Sequence, residues 1–432
     1  QIKSEQNFGI KYLEEFIHDD CFKEIAQIVI VGAGPSGLLL ALLLTSLEPV
    51  PEIIILEAAP TLNRSPRATH YGPAAIAVMR RAGILAEVRK RGYLPTTLCW
   101  RTLHGPRLAG FDRTLLHDQA DATTVLGVGD LCALLVEELE KKGVHVNWGQ
   151  KIIALGGTED DEEQAWAETE KAETGEKKKY TCDFLIGCDG GNSSVRRLMF
   201  GSGNFPGFTW EEQIVATNTY YDFSNAPPDW EDTNFVIDNT HWYMAAKISH
   251  DGLWRISYGE LPGLSNEELL ARQPMKFEAM LPGNPKPGDY KVVNISPYKV
   301  HQRCVESMAK GRVALAADAA HLCNPFGGLG LTGGIIDVDC LFDSLRGVHC
   351  GKTDQRILKT YSNVRIQKYR DIVNPVSTAN LERLCRSDPA KVMETDKVLQ
   401  RMKESESDLA LSIELQNFSY SLKHDMESEW AM

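Results

Sequence analysis

Residues 28–44 read IVIVGAGPSGLLLALLL and contain a short β-branched run, a glycine-rich turn and an apolar run. The β-branched run, which extends back to Ile25, predicts a buried strand, and the apolar run predicts a buried helix. The turn between them has the pattern G-x-G-x-x-G at Gly32, Gly34 and Gly37, with Ser36 inside it. A glycine turn that leaves a strand and opens a helix is typical of a dinucleotide-binding βαβ unit.

The residues after this turn complete the unit. Glycines let the backbone turn tightly and approach a pyrophosphate, and the helix N-terminus offers free N–H groups to it. A second apolar run at residues 52–56 ends in Glu57, which lies 20 residues after Gly37. A carboxylate there can accept hydrogen bonds from ribose hydroxyl groups. The fingerprint predicts binding of an adenosine diphosphate group and does not distinguish FAD from NAD.

A second motif, GRVALAADAAH, occupies residues 311–321. With the glycine-rich segment that follows, it resembles the second FAD-binding motif of class A flavoprotein monooxygenases, the family of p-hydroxybenzoate hydroxylase. The resemblance implies FAD as cofactor, with Asp318 holding the ribityl chain. It also implies that the backbone of the next loop approaches the flavin pyrophosphate and ring at Pro325, Gly328, Gly330 and Leu331. The chain has Ala317 and Thr332 where the family usually has glycine and asparagine.

Two further segments resemble the same family. Residues 188–197, CDGGNSSVRR, are similar to its Asp-Gly motif, which implies that Asp189 belongs to a region binding FAD and, transiently, a nicotinamide. Residues 66–69, PRAT, resemble a segment whose arginine, here Arg67, reaches the FAD phosphates or the nicotinamide cofactor; Arg64 is the competing candidate. NADPH and NADH both remain open as the co-substrate.

The pattern along the chain predicts an α/β fold with a Rossmann-type FAD-binding domain and an inserted mixed or antiparallel β-sheet domain. We expect residues 1–24 to be an N-terminal lead-in and residues 25–211 with 299–355 to form a discontinuous FAD-binding domain. Residues 212–298, rich in aromatic and hydrogen-bonding side chains, predict the substrate-binding sheet. Residues 356–432 are charged and helical by pattern and predict a C-terminal helical tail.

No motif fixes the residues that contact a substrate. An aromatic pocket needs flat walls and a few directed polar groups, and the predicted middle sheet can supply both. Candidates for hydrogen bonding or deprotonating a substrate are Tyr221, His241, Tyr243 and Arg255. Each of these four is also compatible with an ordinary core or surface role.

The resemblance implies a monooxygenase in which reduced nicotinamide passes a hydride to FAD. The reduced flavin then reacts with dioxygen to give a C4a-hydroperoxide, whose distal oxygen goes to an electron-rich carbon of an aromatic substrate such as a phenol or an indole. Hydroxylation and epoxidation are both compatible with this scheme. A single short chain of this kind resembles fungal enzymes of secondary metabolism. The alternative is an FAD-binding redox sensor or interaction protein without monooxygenase turnover.

Composition excludes several other classes of function. The 432 residues carry a formal net charge of −13, so no basic surface is available for nucleic acid. The apolar run at residues 38–47 is too short to span a bilayer. The ten cysteines occur singly, without a CxxC pair or zinc-ligand spacing, which predicts no metal site and indicates reduced thiols in a cytoplasmic enzyme. The oligomeric state is left open.

Overall fold

A computed structural model describes residues 24–62, 69–223 and 230–430. Its strands, in chain order, are β1 (Gln27–Val31), β2 (Glu52–Glu57), β3 (His70–Tyr71), β4 (Thr97–Thr102), β5 (Arg107–Asp112), β6 (Thr124–Val125), β7 (Val146–Trp148), β8 (Gln150–Gly156), β9 (Ala165–Lys171), β10 (Lys177–Cys182), β11 (Phe184–Gly187), β12 (Gly207–Tyr221), β13 (Thr233–Ile237), β14 (Tyr243–Lys247), β15 (Leu253–Glu260), β16 (Tyr290–Cys304), β17 (Ala309–Lys310), β18 (Val313–Leu315) and β19 (His321–Leu322).

The helices are α1 (Pro35–Leu44), α2 (Pro73–Arg81), α3 (Leu85–Arg91), α4 (Val128–Lys141), α5 (Ser194–Phe200), α6 (Asn266–Met280), α7 (Leu329–His349), α8 (Ile357–Lys368), α9 (Asn374–Arg386), α10 (Val392–Thr395), α11 (Lys397–Ser405) and α12 (Leu409–Gln416). Short 3-10 turns include Arg113–Leu116, Ala317–Ala319 and Pro325–Gly327. None of the helices within the described ranges is both long and apolar enough to cross a membrane.

A six-stranded sheet in the order β17-β18-β11-β1-β2-β7 forms the centre of the predicted FAD-binding domain. Strands β1, β11 and β18 are parallel neighbours, with Ile30 opposite Ile186 and Ile186 opposite Ala314. The β-branched residues of β1 are buried, and α1 is buried around nearly its whole surface, as its uninterrupted apolar run requires. Because parallel strands end at one edge, the three motifs that follow β1, β11 and β18 meet there.

The second large sheet has eight strands in the order β19-β16-β12-β15-β14-β13-β4-β5. It is antiparallel except for the parallel pair β13–β4, which agrees with the predicted mixed or antiparallel sheet. It extends beyond the predicted range 212–298 because β4 and β5 come from the segment assigned to the FAD-binding domain. The local sequence pattern did not show that β4 belongs to this sheet, because its neighbour β13 lies more than 130 positions later in the chain. Trp100, for example, is opposite Phe235.

The two faces of this sheet pack against different partners. The inner face, defined by Trp100, Ile214 and Trp242, shares a core with Phe326 of the 3-10 turn before α7 and with apolar side chains of α9 and α11. The outer face, defined by Val215, Ile256 and Tyr258, is covered by α6. In α6 a capping box between Ser265 and Glu268 fixes the start of the helix. Side chains of alternate residues on each strand therefore enter separate environments.

The C-terminal region is helical, as predicted, and it packs on both sheets rather than standing apart. Leu399 of α11 is buried under the inner face, whereas Leu422 and Met426 are buried in the core of the six-stranded sheet. Strands β9 and β10 form a hairpin, and β9 also pairs with β8, which makes a three-stranded sheet. Of the predicted N-terminal lead-in, residues 1–23 lie outside the described ranges.

Candidate active site

The turn between β1 and α1 has glycine where the backbone needs it. Gly32 has a φ of 109°, and a Cβ at this position would overlap the carbonyl oxygen of Cys188. A Cβ on Gly37 would overlap the carbonyl oxygen of Gly32. By contrast, a Cβ on Gly34 would meet no atom within 4 Å. Gly32 and Gly37 thus serve the fold of the turn, whereas Gly34 borders open space at the N-terminus of α1, where a pyrophosphate fits.

Glu57, at the end of β2, stabilises the same turn. Its Oε2 accepts a hydrogen bond of 2.8 Å from the backbone N–H of Ala33, and its Oε1 accepts one of 2.8 Å from that of Ala59. The carboxylate therefore lies beside the glycine turn, where the predicted contact with ribose hydroxyl groups would be made. Ser36, also predicted to contact the cofactor, is buried in the first turn of α1. Arg67, and Arg64 with it, lies outside the described residues.

The Asp-Gly segment is tied to the second FAD motif by side-chain hydrogen bonds. Asp189 caps α5, because its Oδ2 accepts hydrogen bonds from the N–H groups of Ser194 at 2.6 Å and Val195 at 3.1 Å. Burial raises the pKa of the Asp189 carboxyl. Arg196 donates to the carbonyl oxygens of Gly191 at 2.7 Å and Ala319 at 2.9 Å. Arg196 thus connects two backbone turns.

Asp318 lies in the 3-10 turn that follows β18. Its side chain is exposed at the edge of the six-stranded sheet where the three motifs meet. The preceding Ala317 adopts a φ of 58°, a left-handed conformation that explains why the family usually has glycine there. Its N–H donates a 2.9 Å hydrogen bond to Oδ2 of Asp337, on α7. Gly334 leaves room for the side chain of Ala317, because a Cβ at position 334 would lie 2.6 Å from the Cβ of Ala317.

Asp337 also contacts His321 and Arg365 in the core. Its Oδ2 lies 2.7 Å from Nε2 of His321, and its Oδ1 accepts a 2.7 Å hydrogen bond from Nε of Arg365. These partners hold the pKa of Asp337 at about 2, although burial by itself would raise it. Arg365 in turn donates to the carbonyl oxygen of Leu422 at 2.6 Å. This buried network holds the turn that presents Asp318.

The loop after Asp318 lies against the inner face. The backbone N–H of Asn324 donates a 2.9 Å hydrogen bond to Oε1 of Gln302, and Oδ1 of Asn324 accepts one of 3.1 Å from the backbone N–H of Phe326. Its Nδ2 is buried and has no hydrogen-bond partner among the described residues. Phe326 contacts Trp242 edge-on at 5.5 Å between ring centroids. Pro325, Gly328, Gly330 and Leu331, which the sequence predicted to contact the flavin, form this loop and the start of α7.

These observations fit FAD. The cradle at Gly34 is open, Glu57 ends β2 and Asp318 lies in the turn after β18. The residue Asn324, whose Nδ2 is buried without a partner among the described residues, precedes the start of α7 by five residues. A buried donor without a partner costs free energy unless a ligand or water accepts from it. The residues present can therefore hold the adenosine diphosphate at α1 and the flavin end at the loop before α7.

The structure does not bring the four predicted substrate residues together. Arg255 is on the inner face, where its Nε donates a 2.7 Å hydrogen bond to Oδ1 of Asn218. Ala246 is opposite Arg255, so Tyr243, three residues away on β14, points to the outer face, where it is buried. Tyr221, three residues beyond Asn218, also points outward, and its hydroxyl group donates to the carbonyl oxygen of Pro282.

His241 lies in the connection between β13 and β14, where its backbone N–H donates a 2.6 Å hydrogen bond to Asp238. Burial and the nearby Lys276 lower the pKa of this histidine. Lys276 belongs to α6, on the outer side of the sheet. Of the four candidates, only Arg255 therefore faces the loop that would hold the flavin.

Sequence reasoning missed several polar residues around Arg255. His70, Arg113 and Tyr298 are half-buried. The charges of Arg113 and Arg255 lower the pKa of His70, and the charge of Arg255 acts on Tyr298. Tyr298 shares the inner face because it pairs with Ile214, and burial raises the pKa of its hydroxyl group. The only local signal was that His70 directly follows the PRAT segment. Its proximity to a strand 185 positions later is a property of the tertiary fold.

Comparison with known proteins gives consistent matches. Residues 25–375 match the FAD binding domain family. Para-nitrophenol 4-monooxygenase from Pseudomonas sp. (strain WBC-3) is 35% identical over 372 residues, covering 85% of this chain and 90% of that protein. 6-Hydroxy-3-succinoylpyridine 3-monooxygenase HspB from Pseudomonas putida (strain DSM 28022 / S16) is 33% identical, covering 84% of this chain and 90% of HspB.

Solved structures agree with these matches. The crystal structure of p-nitrophenol 4-monooxygenase PnpA from Pseudomonas putida DLL-E4 superposes with a TM-score of 0.83 at 33% identity, covering 92% of this chain and 98% of PnpA. Aklavinone-11 hydroxylase, solved with FAD and aklavinone, has a TM-score of 0.71 at 20% identity, covering 84% of this chain and 70% of its own, and shows the shared fold. The predicted family, fold class and FAD cofactor are confirmed.

Proposed function

The chain belongs to the FAD binding domain family, among its aromatic monooxygenases, and on that premise we propose that it oxidises a phenolic ring at the carbon para to the hydroxyl group. It is an FAD-dependent monooxygenase that uses NAD(P)H and dioxygen to oxidise an aromatic small molecule. What we propose beyond this is that oxygen is added at the carbon para to the hydroxyl group and that this carbon carries an electron-withdrawing substituent.

The names of the two relatives above support this position. Carbon 4 of para-nitrophenol carries the nitro group and lies para to the hydroxyl group. Carbon 3 of 6-hydroxy-3-succinoylpyridine carries the succinoyl group and lies para to the 6-hydroxyl group. Both proteins are thus named for adding oxygen at a ring carbon that already carries an electron-withdrawing substituent. This shared feature is the observation that carries the proposal.

The chemistry balances when the substituent leaves. Oxygen bonds to the para carbon, the bond from that carbon to the substituent breaks, and the phenol becomes a quinone. With 4-nitrophenol the nitro group leaves as nitrite, the second oxygen atom of dioxygen becomes water, and NAD(P)H provides two electrons. FAD, when bound, supplies the activation of dioxygen that makes this transfer feasible. A substrate with hydrogen at the para carbon would instead give a hydroquinone.

The chain's own residues bind and orient the ring. Trp100 and Phe235 stack at 4.7 Å on the inner face, and Trp242 contacts Phe326 of the loop, so that packed aromatic rings form a rigid apolar backing for this face. Arg255 carries a half-buried positive charge on the same face. Apolar walls exclude water from the reacting carbon, and a fixed polar contact aligns it toward the flavin end.

We propose that the enzyme acts in the cytoplasm, where NAD(P)H is available and thiols stay reduced. None of the nine cysteines within the described ranges forms a disulfide bond, which supports this location.

The test is oxidation of 4-nitrophenol by the FAD-loaded enzyme in air, with NADPH and NADH compared. We expect ligand-accelerated NAD(P)H oxidation, nitrite release in proportion to it, and one oxygen-18 atom from labelled dioxygen in the quinone product. 3-Nitrophenol is the matched control, because its nitro group is not para to the hydroxyl group, and it should release no nitrite. Bound FAD without acceleration by any para-substituted phenol would contradict the proposal and favour a redox sensor.

A further inference from the structure

The loop between β19 and α7, residues 323–328, is the segment that can hold the flavin end, and we call it the flavin loop. Two side chains from other elements bind its backbone. The N–H of Asn324 donates a 2.9 Å hydrogen bond to Oε1 of Gln302 on β16, and the carbonyl oxygen of Phe326 accepts a 3.0 Å hydrogen bond from Nδ2 of Asn380 on α9. Side chains of β16 and α9 therefore fix where the flavin loop lies.

Gln302 is buried on the inner face of the eight-stranded sheet. It is 2% exposed and lies two residues after Val300, which belongs to the core of that face. Its Nε2 donates a 2.7 Å hydrogen bond to Oγ of Ser377 on α9, and Oγ of Ser377 donates one of 2.6 Å to the carbonyl oxygen of Val373. Both ends of the Gln302 amide are thus satisfied in the core, where an unpaired amide would cost free energy. This one side chain connects the sheet, the flavin loop and α9.

Close packing of α9 on the flavin loop supports these hydrogen bonds. A Cβ on Gly327 would lie 3.0 Å from the Cβ of Ser377, so glycine lets the loop lie directly against the helix. Ser377 and Asn380 are three positions apart and share one face of α9. The π-helical turn Tyr369–Val373 precedes α9 and holds one residue more than an α-helical turn. The extra residue rotates the following side chains by about 100° around the helix axis, which sets the face of α9 that meets the flavin loop.

We propose that Gln302 is a positioning residue that holds the flavin loop at a fixed distance from the inner face and thereby couples NAD(P)H oxidation to oxidation of the ring. Hydrogen bonds are directional, so they restrict this distance more strictly than apolar contacts do. A misplacement of about 1 Å can slow a reaction about a hundredfold. When the ring is misaligned, NAD(P)H, a proton and dioxygen give NAD(P)+ and hydrogen peroxide, and the ring stays unchanged. This inference rests on the proposed function, because it requires a substrate that the enzyme oxidises.

Gln302→Met tests this role, because methionine has a similar length and lacks the amide donor and acceptor. The FAD-loaded enzyme is given 4-nitrophenol in air, and nitrite and hydrogen peroxide are measured against the NAD(P)H consumed. We expect the share of NAD(P)H that yields nitrite to fall at least about threefold, with a matching rise in hydrogen peroxide. Gln302→Glu, which still accepts from the N–H of Asn324, should retain part of the coupling.

The midpoint reduction potential of bound FAD gives a second readout, which needs no turnover. This potential depends on the groups around the flavin, so it should shift in Gln302→Met when the flavin loop moves. Ser377→Ala removes the partner of Nε2 of Gln302 and keeps a small side chain beside Gly327. It should lower the coupling and shift the potential in the same directions. If Gln302→Met does not retain FAD, Ser377→Ala is judged by the same two measurements.

Gln213→Met is the matched control. Gln213 is also on the eight-stranded sheet, and both ends of its amide bind the backbone of Leu264, where Oε1 accepts a 2.9 Å hydrogen bond and Nε2 donates one of 3.1 Å. Leu264 lies before α6 and packs against the core of the outer face, away from the flavin loop. Gln213→Met should therefore lower the melting temperature and leave both the coupling and the potential unchanged.

The outcomes distinguish this inference from the proposed function. If Gln302→Met keeps the coupling and the potential of the unaltered enzyme, the positioning role is wrong and the proposed function stands. The same conclusion follows if Gln213→Met lowers the coupling as much as Gln302→Met, because the loss would then be a general effect of destabilisation. If the unaltered enzyme oxidises no para-substituted phenol, the proposed function fails. The potential then decides by itself: a shift in Gln302→Met but not in Gln213→Met supports the positioning role, and equal potentials overturn it.

Discussion

At the scale of single residues, the buried carboxylate of Asp337 has the largest predicted effect on stability. It accepts hydrogen bonds from Ala317 and Arg365 and contacts His321. Asp337→Asn should lower the free energy of unfolding by about 3–5 kcal/mol, because the charge of Arg365 would be left buried without its partner. Denaturant unfolding measures this change. Asp354→Asn, which removes an exposed pair with Arg356, should change it by less than about 1 kcal/mol.

The same residue predicts a pH dependence. The pKa of Asp337 in the folded protein is about 2, below its usual value of 3.8. The contribution of this group to stability is therefore complete above about pH 4 and is lost as the pH falls toward 2. Denaturant unfolding between these pH values should show a smaller acid sensitivity for Asp337→Asn than for the unaltered enzyme. An equal sensitivity would contradict the assignment.

Ala317 and Gly334 form a coupled pair at the second FAD motif. Gly334→Ala should destabilise the protein by about 1–3 kcal/mol through overlap with Ala317, although alanine is the better helix residue. Ala317→Gly should remove both the strain of the positive φ and the overlap, so the double variant should recover most of the loss. Gly333→Ala is the control, because its nearest neighbours would lie 3.9 Å from the new Cβ. Additive effects in this double-mutant cycle would refute the coupling.

At the scale of elements, the glycines in the turn between β1 and α1 have different roles: Gly37 is needed for folding and Gly34 for cofactor binding. Gly34→Ala should leave the stability of the FAD-free protein unchanged, because a Cβ meets nothing there and the φ of −79° suits alanine. It should weaken FAD binding by at least about tenfold, since the space belongs to the pyrophosphate. Gly37→Ala should destabilise the protein itself, because its Cβ overlaps the carbonyl oxygen of Gly32. FAD titration and thermal melting distinguish the two variants, and equal behaviour would exclude an open cradle.

The strands also show what the local sequence pattern cannot predict, namely the face of the sheet on which a side chain lies. The positions of β1, α1 and β2 followed from a strand, a glycine turn and a buried helix. The faces of β12, β14 and β15 did not, because a shift of one residue in register moves every side chain to the other face. Arg255 and Tyr243 looked equivalent in the sequence, yet the pairing of Arg255 with Ala246 puts them on opposite sides.

At the scale of the whole molecule, the C-terminal region completes both cores. Removal of residues 409–432 should abolish stable FAD binding, because it exposes the core around Leu422 and Met426 and removes the carbonyl partner of Arg365. FAD fluorescence during heating measures the loss. Arg401→Ala, which breaks an exposed pair with Glu414 in the same region, should leave the melting temperature nearly unchanged. A truncated protein that still retained FAD would show that this region is dispensable.

The sequence by itself determined the parts of this protein that depend on local chemistry. The glycine turn at residues 32–37 specifies a dinucleotide-binding βαβ unit because few residue types permit that backbone conformation. The resemblance of the acidic turn at Asp318 and of the Asp-Gly segment at Asp189 to the family's motifs then indicated FAD. Only the tertiary structure decided which polar side chains share the inner face of the eight-stranded sheet. Arg255 and Asn218 come together through the long-range pairing of β15 with β12, and neither residue carries a local signal of the other.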